Sequence, residues 1–294
     1  MTTIAFIGLG IMGAPMAGHL VDAGFDVVGH NRSPGPVAAL AERGGRTAGS
    51  VAEAVAGADV VALMLPDSPD VEAVLLGDDG VLAHAPAGTL VIDFSSIRPD
   101  VSSALAARAV ERGSSLVDAP VSGGQAGAQN ASLSIMVGGT DVDVARARPV
   151  LEVVGSTVVH VGPNGAGQTV KAANQLVVAG HLQLLAEAVV FLEAYGVDTT
   201  AALEVLGAGL AGSTVLQMKG EHMLGRSFDP GFRIDLHHKD LGIVTSAARE
   251  AGVVVPLGGH LAQLMASARA QGDGSLDHSA LLRGVLRASG RDLT

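Results

Sequence analysis

From the N-terminus to about residue 163, short β-branched runs alternate with Ala-rich helical stretches. The runs are Ile4 to Ile7, Val27 to Gly29, Val60 to Leu65, Leu90 to Asp93, Leu116 to Asp118 and Leu133 to Val137, and each predicts a strand. Strands separated by helices require right-handed crossovers, which predicts a mostly parallel, doubly wound α/β sheet. Beyond Gly167 the strand pattern stops. From about Gln168 to Tyr195 apolar residues recur at helical spacing on more than one face, predicting a long helix buried on several sides and stopped by Gly196. Shorter helices are expected near Ala201 to Gly207, Leu236 to Ala251 and Pro256 to Ala270. The expected organisation is an α/β domain over 1–163 and an all-α domain over 164–294 built on the long helix, without repeats or a disordered linker.

Gly8-Leu9-Gly10-Ile11-Met12-Gly13 directly follows the first predicted strand and precedes a helical pattern from Ala14 to Ala23 that ends at Gly24. In such a G-x-G-x-x-G turn the glycines serve a tight turn, close approach of backbone to a pyrophosphate, and close helix-to-strand packing. The helix N-terminus then offers unpaired N–H groups to the phosphates. With 40 glycines in the chain this spacing arises by chance. It is the strand before and the helix after that favour a dinucleotide-binding Rossmann domain over a ligand-free turn. At the end of the second strand, where an acidic residue would hold the ribose hydroxyls of NAD, stand His30-Asn31-Arg32. Asn31 brings no charge to repel a 2′-phosphate and Arg32 is placed to pair with one, which favours NADP over NAD. The plain alternative for Arg32 is an exposed turn arginine.

Composition removes other classes. The 294 residues are 48% hydrophobic, ample for two cores, yet only 2% aromatic, with no Trp and one Tyr, so platforms for stacking bases are nearly absent. A formal charge of −11 repels phosphate backbones and anionic membranes, and nucleic acid is not an expected partner. The absence of Cys excludes disulfides, thiolate metal sites and cysteine nucleophiles, and fits a reducing compartment. Met1 to Ile7 lacks the cationic flank and cleavage pattern of a signal peptide, so cytoplasmic residence is expected. The apolar stretch from Leu176 to Leu192 is broken by His181, Gln183 and Glu187, as in a buried helix rather than a membrane span. One small helical domain does not cover so apolar a helix, which predicts a homodimer or homotetramer. Adjacent His237 and His238 point in different directions on a helix, and spacing supplies no further ligand, so no metal site is expected. Nor is there a G-x-S-x-G turn for a serine nucleophile.

Four blocks recur in a familiar order. They are Gly8-Leu9-Gly10-Ile11-Met12-Gly13-Ala14-Pro15-Met16-Ala17; Asp118-Ala119-Pro120-Val121-Ser122-Gly123-Gly124 with Leu133 to Gly139; Gly165-Ala166-Gly167-Gln168-Thr169-Val170-Lys171-Ala172-Ala173-Asn174-Gln175; and Lys239-Asp240-Leu241. Over its whole length the chain resembles the β-hydroxyacid dehydrogenase family, which includes 3-hydroxyisobutyrate dehydrogenases, 6-phosphogluconate dehydrogenase relatives and tartronate semialdehyde reductases. Gln175, Gly209 to Leu216, Pro230 to His237 and Asp277 to Leu281 most resemble the tartronate semialdehyde reductases among them. Asn130-Ala131 departs from the family, where an acidic or small residue is more often followed by Gly.

The resemblance implies reversible reduction of a small carboxylate-bearing aldehyde, tartronate semialdehyde to glycerate, with a nicotinamide dinucleotide. A 3-hydroxyisobutyrate dehydrogenase or another short-chain semialdehyde or glyoxylate reductase is the nearest alternative, and a non-catalytic dinucleotide-binding scaffold the alternative of another class. Reduction needs an acid at the carbonyl oxygen, where negative charge develops. A lone helical lysine is most often a solvated surface residue, but the third block singles out Lys171, which lies in an Ala-rich segment that favours burial. Burial and a neighbouring cation such as Lys239 lower a lysine's pKa and suit it to proton transfer. Asn174, three residues on, shares its helix face and is placed to bind substrate or orient the lysine, as is Gln175. Ser122, Gly123 and Gly124 are expected to donate to the substrate carboxylate, the alternative being a plain tight turn. By the same resemblance Met64-Leu65-Pro66, Ser96 and Lys239 lie near the cofactor.

Overall fold

The structure is a computed structural model and describes residues 1–293. The chain divides into two compact units, the first ending at Lys171 and the second starting at Ala172. The first contains strands β1 (Thr3–Ile7), β2 (Asp26–His30), β3 (Arg46–Thr47), β4 (Val60–Leu63), β5 (Leu90–Asp93), β6 (Ser115–Asp118), β7 (Val121–Ser122), β8 (Leu133–Gly138) and β9 (Gly155–Gly162). Its helices are α1 (Gly13–Asp22), α2 (Pro34–Glu42), α3 (Val51–Val55), α4 (Ser68–Leu76), α5 (Val81–His84), α6 (Pro99–Glu111), α7 (Gly124–Gln129) and α8 (Asp141–Val154). The strands form one sheet in the order β3-β2-β1-β4-β5-β6-β8-β7, with β9 on β8. Pairing is parallel except where β8 meets β6 and β7.

Both faces of the sheet are covered, and successive side chains go to opposite layers. Ile4, Phe6, Ala62 and Ile92 pack in the layer that includes Met16 and Leu20 of α1 and Val150 of α8. Ala5, Ile7, Val61 and Val91 pack in the layer of Val55, Leu75 and Leu105. This is the doubly wound sheet that the alternating pattern predicts. β4 ends at Leu63, two residues before the predicted end. The short β3 and β7 carry no apolar run of their own, whereas the edge strand β9 carries Val158, Val159 and Val161. In β9, Ser156, Thr157, Val159 and His160 are exposed.

The second unit is helical. The long helix α9 (Ala166–Ala194) begins in the first unit and continues into the second, followed by α10 (Thr199–Ala208), α11 (Thr214–Leu224), α12 (Ile234–Glu250), α13 (Pro256–Ala270) and α14 (Leu281–Ala288). Ala179, Leu182, Ala186 and Val189 of α9 form the core with Met223, Leu241, Met265 and Leu282. α9 ends just before Gly196, as its sequence predicts; α11 and α14 are additions to the expected helices. By length and composition α9 is apolar enough to cross a membrane, and 44% of its most apolar stretch is buried inside the protein.

Asp277, fully buried, holds the entry to α12 and the start of α14. It accepts from Lys219 Nζ at 2.9 Å, from the amides of Gly231, Phe232 and Ser279 at 3.0, 3.1 and 3.0 Å, and from Ser279 Oγ at 2.7 Å. Burial alone would raise this carboxyl, but His278, Lys219 and Ser279 together hold it well below the usual range.

At the sequence departure noted above, Ala131 has φ +51°, a left-handed conformation that a side chain disfavours. Ala131→Gly is therefore expected to stabilise the protein by about 0.5–1 kcal/mol, the relief of strain outweighing the added freedom of the unfolded chain. Thermal denaturation measures it; a lower melting temperature contradicts it.

Candidate active site

Parallel strands end together. Ile7 pairs with Leu63, Leu63 with Asp93, and Asp93 with Asp118, so the segments after β1, β4, β5 and β6 emerge along one edge. Between β1 and β4 the strand order reverses, the place where open α/β sheets bind ligands outside the carboxyl ends of their strands. The glycine turn lies there. Gly8 has φ +99°, and a Cβ on it would lie 2.3 Å from the Met64 carbonyl oxygen. A Cβ on Gly13 would lie 2.0 Å from the Gly8 carbonyl oxygen, so α1 starts against the turn itself. Around Gly10 nothing lies within 4 Å, and backbone there is open to a pyrophosphate. These three positions fit a nicotinamide dinucleotide in the way the sequence motif requires.

The remaining residues expected beside the cofactor are placed as follows. Leu9 buries its side chain in the core, and its N–H donates to Asn31 Oδ1 at 3.1 Å. Asn31 Nδ2 donates in turn to Ser33 Oγ at 2.8 Å, so Asn31 stitches the glycine turn to the end of β2. Ile11 and Arg32 are exposed and Met12 is half-buried. In the Met64-Leu65-Pro66 turn, the Leu65 N–H donates to Ser95 Oγ at 2.9 Å. Ser96, half-buried, follows. Ser122, Gly123 and Gly124 join β7 to α7, and nothing lies within 4 Å of where a Cβ on Gly124 would stand.

Lys171 lies in the second turn of α9 and is 8% exposed. The start of that helix is fixed from the sheet. Asp118, at the end of β6, accepts from Gly165 N–H at 2.7 Å and Gln168 N–H at 3.0 Å, which satisfies donors a helix N-terminus otherwise leaves open. Burial pushes the Asp118 carboxyl up, opposed by these amides. The side chain of Gln168 donates to the Ser95 carbonyl at 2.7 Å and accepts from Ile97 N–H at 3.1 Å.

Within the second unit Asn174, Gln175, Lys239 and Asp240 form one cluster. Asn174 Nδ2 donates to Gln175 Oε1 at 2.9 Å, Gln175 Nε2 donates to Asp240 Oδ2, and Lys239 Nζ lies 2.9 Å from Asp240 Oδ1. His237 does not pair with a ligand set alongside His238. It is fully buried, with Nε2 3.0 Å from the Gln175 carbonyl oxygen and Nδ1 3.0 Å from Nδ1 of His278. With Nε2 donating to that carbonyl, a neutral His237 has only an acceptor left for His278. Among the described residues no group of three or more His, Asp or Glu side chains is placed to hold a metal. Asp118, Gln168 and Asp240 were visible in the sequence only as members of motif blocks; nothing in their spacing named their partners.

Two family models cover nearly all of the chain: the NAD binding domain of 6-phosphogluconate dehydrogenase over residues 3–162, and the NAD-binding domain of NADP-dependent 3-hydroxyisobutyrate dehydrogenase over residues 165–285. The chain belongs to the β-hydroxyacid dehydrogenase family. It is an oxidoreductase that uses a nicotinamide dinucleotide. Among its relatives in the family, the chain is 40% identical to the 2-hydroxy-3-oxopropionate reductase of Escherichia coli over 286 residues, 96% of each protein. It is 38% identical to the 3-hydroxyisobutyrate dehydrogenase of Pseudomonas aeruginosa over 280 residues, 93% of this chain and 94% of that one. The structure of a Mycobacterium tuberculosis 3-hydroxyisobutyrate dehydrogenase with L-serine superposes with a TM-score of 0.89 at 38% identity, covering 97% of this chain and 99% of that one. The doubly wound domain followed by a helical one is thus the family fold.

Proposed function

We propose that this enzyme reduces tartronate semialdehyde (2-hydroxy-3-oxopropanoate) to glycerate, reversibly, in the cytoplasm, with NADPH preferred over NADH. The observation that carries the reading is the buried Lys171, set one helical turn beyond the Gln168 contacts to the segment after β5. The 40% identity to a reductase of this substrate supports the choice of aldehyde. The bound nicotinamide supplies the hydride. Lys171 holds a proton at Nζ for the carbonyl oxygen, where charge develops, and takes it back in the reverse direction. The Ser122 hydroxyl and the backbone N–H groups of Gly123 and Gly124 donate to the substrate carboxylate. Asn174 is the polar group on the next turn of α9, and Gln175, fixed by Asp240, orients it. Arg32, exposed at the end of β2 beside an uncharged Asn31, pairs with the 2′-phosphate of NADP.

The test is a substrate panel with both cofactors. Tartronate semialdehyde is expected to give the highest kcat/KM, and NADPH to exceed NADH by about 10- to 100-fold, the worth of one charge-assisted pair. The second reading, oxidation of 3-hydroxyisobutyrate, is favoured by the 38% identical dehydrogenase. A higher kcat/KM on its semialdehyde would replace the first reading, and a strong NADH preference would remove the role given to Arg32.

We also propose that a second copy of the chain covers α9. Val170, Val177, Leu184 and Phe191 recur every seven residues and are 38%, 54%, 66% and 62% exposed. They form an apolar stripe about 32 Å long at 1.5 Å per residue, more than isolated surface residues require. Sedimentation at micromolar concentration is expected to show a dimer or tetramer; a monomer contradicts it.

A further inference from the structure

We propose that Gln168 is a positioning residue whose side-chain amide sets the register between the segment after β5 and the helical turn that carries Lys171. The proposal rests on the reading of Lys171 as proton donor. Gln168 is 1% exposed. An amide carries a donor and an acceptor side by side, and here they take the Ser95 carbonyl at 2.7 Å and the Ile97 N–H at 3.1 Å. The side chain thus grips two backbone groups that flank Ser96, as a neighbouring strand would. Ser95 extends the grip, because its Oγ accepts the Leu65 N–H at 2.9 Å and so ties in the turn after β4. On its other side the Gln168 backbone N–H donates to Asp118 at the end of β6. The segment after β5 and the end of β6 therefore meet on Gln168, and the turn after β4 joins them through Ser95.

Lys171 follows Gln168 by three residues, on the same helix face. Along that face Gln168, Lys171 and Gln175 are all buried polar residues, 1%, 8% and 5% exposed. Asp118 already satisfies the start of the helix, so the Gln168 side chain is not needed to cap it. Its partners belong instead to the segment around Ser96, which the family resemblance places on the nicotinamide side. Hydride transfer and proton transfer to one carbonyl group need donor and acid in fixed relation, and a displacement of about 1 Å costs about 100-fold in rate.

The experiment compares Gln168→Leu, which removes both contacts, with Gln168→Glu, which keeps the acceptor for Ile97 and loses the donor to Ser95. Folding is followed by thermal denaturation and NADPH affinity by fluorescence. Hydrogen exchange of the peptide containing Ile97 is measured without cofactor, and kcat, KM and the single-turnover rate constant per bound NADPH are measured with aldehyde. Gln168→Leu is expected to bind NADPH with wild-type affinity, exchange faster at Ile97, and lose about 10- to 100-fold in both kcat and the single-turnover rate constant at unchanged KM. Gln168→Glu is expected to keep Ile97 protected and to recover part of that rate. A wild-type single-turnover rate constant per bound NADPH, in a variant whose Ile97 exchange has accelerated, overturns the proposal. If Gln168→Leu does not fold, Gln168→Met is measured in its place, and a wild-type rate constant there with accelerated Ile97 exchange overturns the proposal equally. Failure of the Lys171 reading is separate: it appears as near-normal turnover in Lys171→Ala, whatever the Gln168 variants do.

Discussion

A Lys171→Ala enzyme is expected to turn over about 10²- to 10⁴-fold more slowly than the wild type and still to bind the cofactor. That loss is the span attributed to a positioned acid or base. Cofactor affinity is kept because the glycine turn is built from contacts of Gly8, Gly13, Leu9 and Asn31, none of which involves the lysine. Lys171 is 8% exposed on a helix whose start is held by Asp118, so the truncation leaves α9 in place. The measurement is kcat with tartronate semialdehyde together with NADPH affinity by fluorescence titration. Near-normal turnover would strip Lys171 of its role. Lys171→Arg separates charge from proton transfer: an arginine keeps the cation but does not release a proton near neutral pH, so it is expected to remain impaired.

Asp277→Ala is the substitution expected to cost most in stability, about 3–5 kcal/mol, the usual penalty for removing one partner of a buried ion pair. It leaves Lys219, 13% exposed, without its carboxylate at 2.9 Å, and it strands the amides of Gly231, Phe232 and Ser279. Because the folded carboxyl is held below its ordinary value of 3.8, its contribution to stability is present above that value. It is lost as pH falls through the lowered one. The gap between wild type and variant in chemical denaturation is thus expected to narrow in strong acid. Asp118, whose carboxyl is raised, works with the opposite sign: its contribution is full below 3.8 and is lost as pH rises through the raised value. A gap that widens in strong acid would refute the assignment to Asp277.

Elements with a local signal were legible in the chain itself. Each of the six predicted strands matches an observed one to within two residues, because alternation of apolar side chains between two covered faces is written into neighbouring positions. The long helix and its stop before Gly196 were legible for the same reason. β9, α11 and α14 were not among the predicted elements although each carries a local apolar signal: Val158, Val159 and Val161 in β9, Val215, Leu216, Met218, Met223 and Leu224 in α11, and Leu281, Leu282, Val285 and Leu286 in α14. Of the glycine turn, the demand on Gly13 is local, against the Gly8 carbonyl, while that on Gly8 comes from the Met64 carbonyl in the turn after β4, which no spacing within the motif names.

The sequence alone determined the order of elements, the phosphate-type turn and the one lysine set in an apolar helical stretch, all matters of spacing within a few residues. Only the tertiary structure decided which polar side chains hold these pieces together. Gln168 meets Ser95 and Ile97 across 73 and 71 positions of chain, and Gln175 meets Asp240 across 65. Such pairs arise from the crossovers of the sheet and the packing of helices. A hydrogen bond has no period along the chain, so nothing in the local pattern of residues announces its partner.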